Sequence, residues 1–460
     1  MNDRIDFERL VNERFAREHD VRPPDRAVDQ ILIQAGRARP LPRWLALIKE
    51  PSMRYSSTLG VGSPTARVLA ILAATLLLVT LVTAAGAGAA RLLAADGQII
   101  VDASGGGTHT AIADALADSR DGDVILVRPG SYVEAVLIDK DITLVGDGPR
   151  EDIVVSAPVD GPTVVFAETG GIQQFETPYS LLIADTLAEV RGMTFAGAET
   201  SVVVDGGSPT LSDLVFDGND FGLLIQSGST ATVTDSLMSG GGGIEVAGSS
   251  EPLIARNVLR DGASIVGSMG DGGVVRANVL TDPSNGIGLG GIAMGAPTSA
   301  LIEGNTITGA SGYAISTFSA EAGAPVIRDN TISGSRNGIQ VGAGSGDGVS
   351  TGAGPDVTTA QPLVSGNDIS AELVAISVTW TDAKVIDNNI QDSFNGIVLF
   401  GGGSADVLDN KVEVEGNGID IGANTSPNVA GNSACGGSAS IKIHDTATPS
   451  MGENTTCDAD

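Results

Sequence analysis

Cys435 and Cys457 are separated by the same interval as Asp387 and Asp409, and Phe318, Trp380 and Phe400 belong to an aromatic set that makes up only 3% of the chain. Two thiols brought together in an oxidising compartment form a disulfide. Two carboxylates brought together push one pKa upward or take up a cation such as calcium. Aromatic rings offer flat apolar faces on which a sugar ring stacks. After residue 91 the histidines are His109 and His444; neither lies in a carboxylate or thiol arrangement typical of a metal or triad site, so both read as surface residues, and His19 as solvated. Asp213, Asp217 and Asp220 make a further acidic group, a weaker candidate for calcium.

None of this chemistry works unless distant residues become neighbours, and a repeat supplies the means. Asn257, Asn278, Asn305, Asn330, Asn367, Asn388, Asn410, Asn432 and Asn454 recur with a base period that is nearly constant, lengthened in the three turns between Asn278 and Asn367. Met193, Leu214 and Ser236 continue the period backwards in degenerate form. Three residues before the anchors from Asn257 to Asn432 stands Ile or Val, and two after those from Asn257 to Asn410 stands Leu, Ile or Val. Further on in each unit comes a second signature, such as Gly338-Ile339-Gln340-Val341 or Gly396-Ile397-Val398-Leu399, with apolar positions two apart, which is strand spacing.

Each period thus holds three short strands and cannot bury its own apolar face, so successive units must stack. In-register stacking turns the aliphatic positions into inward ladders and the asparagines into an internal amide ladder that satisfies turn backbone groups. The expected fold is all-β, a right-handed parallel β-helix of roughly eleven to thirteen coils over residues 91–460, with residues 98–135 as an N-terminal cap and entrance. Cys435 and Cys457 each follow an anchor by three, so they occupy equivalent places in consecutive coils within disulfide range. Asp387 and Asp409 precede adjacent anchors and come within about 5 Å at the backbone; a turn aspartate satisfying its own backbone is the alternative role. Phe318, Trp380 and Phe400 follow Asn305, Asn367 and Asn388 at nearly equal offsets, at the exit of the second-signature strand and beside the longest turn, Gly342 to Gln361. A sugar-stacking groove and a merely covered solenoid flank are the two readings of that row.

The 42% hydrophobic content, mostly aliphatic, supports a core, while the charge divides sharply: residues 1–91 carry net +4 and residues 92–460 net −34. So acidic a surface repels phosphate backbones and excludes nucleic acid as a partner. Residues 68–90 contain no charge and span about 34 Å as a helix, enough for a bilayer core of about 30 Å. A cleaved signal peptide is the alternative, but the stretch that precedes the run, residues 1–67, is far longer than the charged leader of such a peptide. Arg43, Lys49, Arg54 and Arg67 before the span, against Arg91 after it, place the N-terminus in the cytoplasm. Residues 1–67 read as short helices, a juxtamembrane tether or a docking site for an unidentified cytoplasmic partner.

The entrance of the solenoid carries Gly105-Gly106-Gly107, a helix with Ile112, Ala115 and Leu116, then Gly130-Ser131-Tyr132-Val133-Glu134 and Ile142-Thr143-Leu144-Val145-Gly146. With the repeat, these make the chain resemble the pectin lyase-like β-helix superfamily from residue 98 or so to 460. The resemblance implies a fold found in carbohydrate-binding proteins and sugar hydrolases. It implies no particular activity, because the catalytic motifs of pectinesterases, pectate lyases and polygalacturonases are missing from the sequence. The expectation is a membrane-anchored extracytoplasmic protein that binds, and in one version processes, an extracellular or envelope polysaccharide, with Phe318, Trp380 and Phe400 as contacts and no required cofactor. A non-catalytic surface scaffold or adhesin is the alternative. A metal-delivery factor is weaker, since no Cys/His/Met cluster accompanies it.

Overall fold

The structure is a computed structural model in which residues 98–167, 174–198, 200–240, 242–284, 286–289, 299–319, 324–343 and 361–457 are described. The segments 1–67 and 68–90 lie outside them, and among the described residues no helix is long and apolar enough to cross a membrane.

The chain winds as a parallel β-helix. In each repeat one strand ends two residues before the anchor, a second follows the anchor and a third lies on the second signature. The first strands stack into a 15-stranded parallel sheet from Ile99–Val101 to Ser450–Met451. The second and third strands form two parallel ladders. They unite into one 26-stranded assembly where Thr331–Ala343 and Asp368–Thr379 each run through both ladders instead of breaking at the corner. Pairing is one to one: Ile302, Ile327, Val364, Val385, Val407 and Val429 stand in a single column. All six are fully buried. Each such side chain contributes about 1.5–3 kcal/mol by leaving water, and the column supports itself from coil to coil.

Fifteen strands in the first sheet exceed the eleven to thirteen coils expected from the repeat. The surplus lies at the start, where Ile99–Val101, Val124–Val127 and Thr143–Gly146 stack without an asparagine after them. Two excursions hide the period there: the helix α1, Ile112–Asp118, and an antiparallel pairing of Thr163–Ala167 with the beginning of Gln174–Ala184.

The helix closes the N-terminal end. Ile112, Ala115 and Leu116 bury against the core. The backbone N–H groups of Ile112 and Ala113 donate to the Glu134 carboxylate at 2.9 and 2.8 Å, and Lys140 Nζ donates to the carbonyls of Leu116 and Ser119. Both helix ends are therefore satisfied from the next coil. The Gly-x-Tyr-x-Glu stretch is thus a capping device, with Tyr132 Oη donating to Arg128 O at 2.8 Å.

At the corner after the first sheet, the residue before the anchor is left-handed: Asp213, Asp235, Arg256, Ala277, Asp329, Asp387 and Asp409 have φ of 53–57°, with glycine in other coils. That kink turns the asparagine inward. Asn388 Nδ2 donates to Asn410 Oδ1 at 2.9 Å and to Val364 O at 3.0 Å, and the Asn388 N–H donates to the same Oδ1 at 3.0 Å. The pattern repeats from Asn257 to Asn432, each of them at most 1% exposed. It begins with Ser236, whose N–H donates to Asn257 Oδ1. A second set of turn bonds escaped the sequence reading because its residues vary: Ala198 N–H donates to Asn219 Oδ1, Ala310 N–H to Ser335 Oγ and Ala371 N–H to Ser393 Oγ.

At the other end Cys435 and Cys457 form a disulfide across adjacent coils, with Cα atoms 4.9 Å apart.

Candidate functional site

The third ladder positions most of the chemistry. Along its strands Ile397, Leu399, Ile419 and Ile421 point inward and are buried, so Val398, Phe400 and Asp420 face out. Stacking sets Ser377, Val398, Asp420 and Lys442 in one outward column. In the next outward column Thr379 pairs with Phe400, and the same column continues through Gly422 to His444. A Cβ on Gly422 would lie 2.5 Å from the Leu399 carbonyl oxygen and 3.1 Å from Phe400 Cβ, so the backbones approach too closely there for a side chain.

Trp380 follows Thr379 with φ 50°, and its N–H donates to Phe400 O. Equivalent left-handed places in other coils hold Asp185, Gly206, Ser227 and Gly401, residues that tolerate this conformation. A tryptophan there is an outlier costing about 1–3 kcal/mol. Its indole lies against Gly401, where a Cβ would come within 2.5 Å of the ring, and the Trp380 and Phe400 centroids are 5.3 Å apart with planes tilted by 53°. Phe400 is 46% exposed. Phe318 shares the Phe400 column, but Gly342 and Thr379 intervene, which sets the backbones about 14 Å apart. The three aromatics thus resolve into a contacting pair and a distant member whose side chain lies outside the described residues, as do residues 344–360 of the long turn.

Next to the pair is a polar network. His444 Nε2–H donates to Asp420 Oδ1 at 2.9 Å, Asn417 Nδ2 donates to Asp420 Oδ2 at 2.7 Å, and Lys442 Nζ lies 3.6 Å from that oxygen. Asp420, itself largely covered, holds three side chains from two coils in fixed positions. Each histidine has a carboxylate partner that its sequence neighbourhood did not reveal: His444 has Asp420, and His109 Nε2 meets Asp118 Oδ2 at 3.0 Å. The Asp420–His444 separation is one coil plus two positions, so the pairing was hidden by the winding.

Asp387 and Asp409 stand on adjacent coils, both left-handed, and the Asp387 N–H donates to Leu408 O. Among the described residues no group of three or more His, Cys, Asp or Glu side chains converges as a metal site. Asp213 is paired with Arg150 Nη1 at 2.7 Å and Asp217 accepts from Ser239 Oγ.

The family described as right-handed β-helix region matches residues 200–352. Among solved structures, the catalytic unit of a GH87 α-1,3-glucanase from Streptomyces thermodiastaticus is similar at 15% identity and TM-score 0.46, covering 79% of this chain and 70% of that one. Pectin methylesterase PemA from Erwinia chrysanthemi is similar at 15% identity and TM-score 0.31, covering 47% of this chain and 80% of that one. A GH136 lacto-N-biosidase from Eubacterium ramulus stands at 10% identity and TM-score 0.36, with 78% and 67% covered. At these values the likeness is one of winding alone.

Proposed function

We propose that the protein binds a polysaccharide of the cell envelope or extracellular space on the outward face of its third ladder, with Trp380 and Phe400 as the stacking pair. In this reading residues 68–90 anchor it in a membrane, with residues 1–67 cytoplasmic and the β-helix outside. The observation that carries the binding reading is the left-handed Trp380 beside exposed Phe400. Where other coils use glycine, serine or aspartate, this coil accepts a backbone cost to present a large ring. Asn417, Asp420, Lys442 and His444 add oriented donors and acceptors alongside, which suits a ligand rich in hydroxyl groups.

Binding is favoured over glycosidic cleavage by the count of carboxylates. Hydrolysis uses two, about 5–9.5 Å apart. From Gln340 to Lys442 in one outward column and from Gly342 to His444 in the next, Asp420 is the one carboxylate, and Asp382, two residues after Trp380, is taken up by the Ser404 N–H at 2.6 Å. The strongly acidic composition of residues 92–460 keeps nucleic acid off the surface.

The full chain in detergent micelles, applied to a glycan array, should retain a set of polysaccharides and lose them on Trp380→Ala. Silence of the wild-type protein on every glycan would defeat the reading and favour a rigid scaffold or adhesin. For the anchor, protease added to intact cells should remove the acidic portion and spare residues 1–67. A mature N-terminus near Arg91 would overturn that part.

A further inference from the structure

The outward face of the third ladder differs in charge from the surface around it. Beside the two outward columns already described runs a third, through Val374, Asn395, Asn417 and Ala439. Among the described residues of these four coils, the three columns hold one carboxylate, Asp420, and one ammonium, Lys442. Their other polar groups are amides, hydroxyls and the His444 imidazole. Away from this face the same coils expose Glu372, Asp387, Asp392, Asp409, Glu413 and Glu415, in keeping with a net charge of −34 over residues 92–460.

The ammonium is already engaged. Lys442 Nζ lies 3.6 Å from Asp420 Oδ2, and the same carboxylate accepts from Asn417 Nδ2 and His444 Nε2. The pair therefore orders its neighbours without giving the face a sign. A ligand carboxylate, sulfate or phosphate would meet no unpaired cation in these columns and would give up its water without a partner. It would also approach through the negative field of the surrounding surface. Hydroxyl and acylamino groups incur neither penalty, because amide side chains both donate and accept.

We infer that the polysaccharide held on this face is an uncharged one, a polymer of neutral sugars and not a polyanion. The inference rests on the binding reading above and adds the chemical class of the ligand. The Asp420–Lys442 pair is what sets that class: removal of the carboxylate would leave an ammonium free to meet an anion.

The test measures retention of the full chain, in detergent micelles, on immobilised glucans and mannans and on immobilised polygalacturonate and alginate, at about 0.15 and 0.5 M NaCl. Neutral polymers should retain the wild type and lose it on Trp380→Ala. Their affinity should change by less than about twofold between the two salts, since an uncharged ligand releases no counterions. The polyuronates should retain nothing at either salt. Asp420→Asn should gain polyuronate retention at about 0.15 M, where distant charges are screened and a direct contact is not. Retention of a polyuronate by the wild type, lost on Trp380→Ala, overturns the class and leaves the binding reading in place; so does a larger salt dependence on neutral polymers. An Asp420→Asn protein with intact Asn-ladder amide protection that still ignores polyuronates overturns the role of the ion pair, placing the exclusion in the overall charge. Silence on every polymer, or neutral retention indifferent to Trp380→Ala, defeats the binding reading and the class with it.

Discussion

Replacing Asn388 by leucine tests whether the corner is held by amides or by apolar packing. Asn388 is 1% exposed. Its Oδ1 accepts from the Asn367 N–H at 3.1 Å and from Asn367 Nδ2 at 2.9 Å, and its own Nδ2 serves Val364 O, Ile386 O and Asn410 Oδ1. Leucine strands the buried Asn367 N–H outright, at about 1–3 kcal/mol, and weakens the neighbouring carbonyls by about 1 kcal/mol more. The apolar gain of about 1.5–3 kcal/mol is offset by about 1–3 kcal/mol of overpacking, because a branched side chain must fit where planar amides stack. The net loss is about 2–4 kcal/mol. Stacked repeats need not unfold in one step, so the readout is local: Asn367 amide exchange should accelerate by roughly 30- to 900-fold at about 1.36 kcal/mol per decade. Unchanged exchange at Asn367 would mean that the amide column contributes nothing to holding the corner.

Reduction of Cys435–Cys457, or Cys457→Ser, should cost about 3 kcal/mol for a loop of this length; faster amide exchange confined to the region of Ile441 and Ile443 is the expected outcome, and uniform loosening of all coils would refute it. The Asp102 carboxyl is held below the usual carboxylate range, first by the Ser104 hydroxyl at 2.6 Å, then by the Ser104 N–H and Arg128. Its folded pKa is thus below the unfolded one, so its stabilisation is complete above about pH 4 and fades as acid carries the pH through the lower folded value. Exchange near residues 99–108 should therefore rise in acid, and Asp102→Asn should abolish that step. Gly396→Val should destabilise the coil or prevent folding, since a Cβ there would collide with the Gly418 carbonyl oxygen; a normal exchange pattern in the purified variant would show that the corner yields.

The aliphatic and asparagine columns were legible because each coil commits one side chain to the same backbone place. The first three rungs were not, since α1 and the antiparallel excursion interrupt the count before any asparagine appears. The disulfide followed from equal offsets after Asn432 and Asn454, a short distance over which no corner intervenes. The aromatic offsets misled for the converse reason. A count from an anchor to these rings crosses the glycine corner, which is one residue longer in the Phe318 coil, so Phe318 shares a column with Phe400 despite its larger offset while Trp380 stands one place beyond that column. Asp420 and His444 could be joined only after the pairing was known to set 422 rather than 420 beside 444.

The unequal coils carry an evolutionary consequence. Asn278 to Asn305, Asn305 to Asn330 and Asn330 to Asn367 are 27, 25 and 37 residues apart, yet their amide contacts are 3.0, 3.0 and 2.9 Å, against 2.9 Å for the 21-residue coil that follows. In these coils most of the added length lies in the stretch between the end of the third-ladder strand, at Leu289, Ser319 or Ala343, and the next first-sheet strand, at Leu301, Val326 or Leu363. Mutation can therefore write new sequence at that one corner without editing the rungs on either side. The same corner is where a foreign peptide could be grafted with the scaffold left in register.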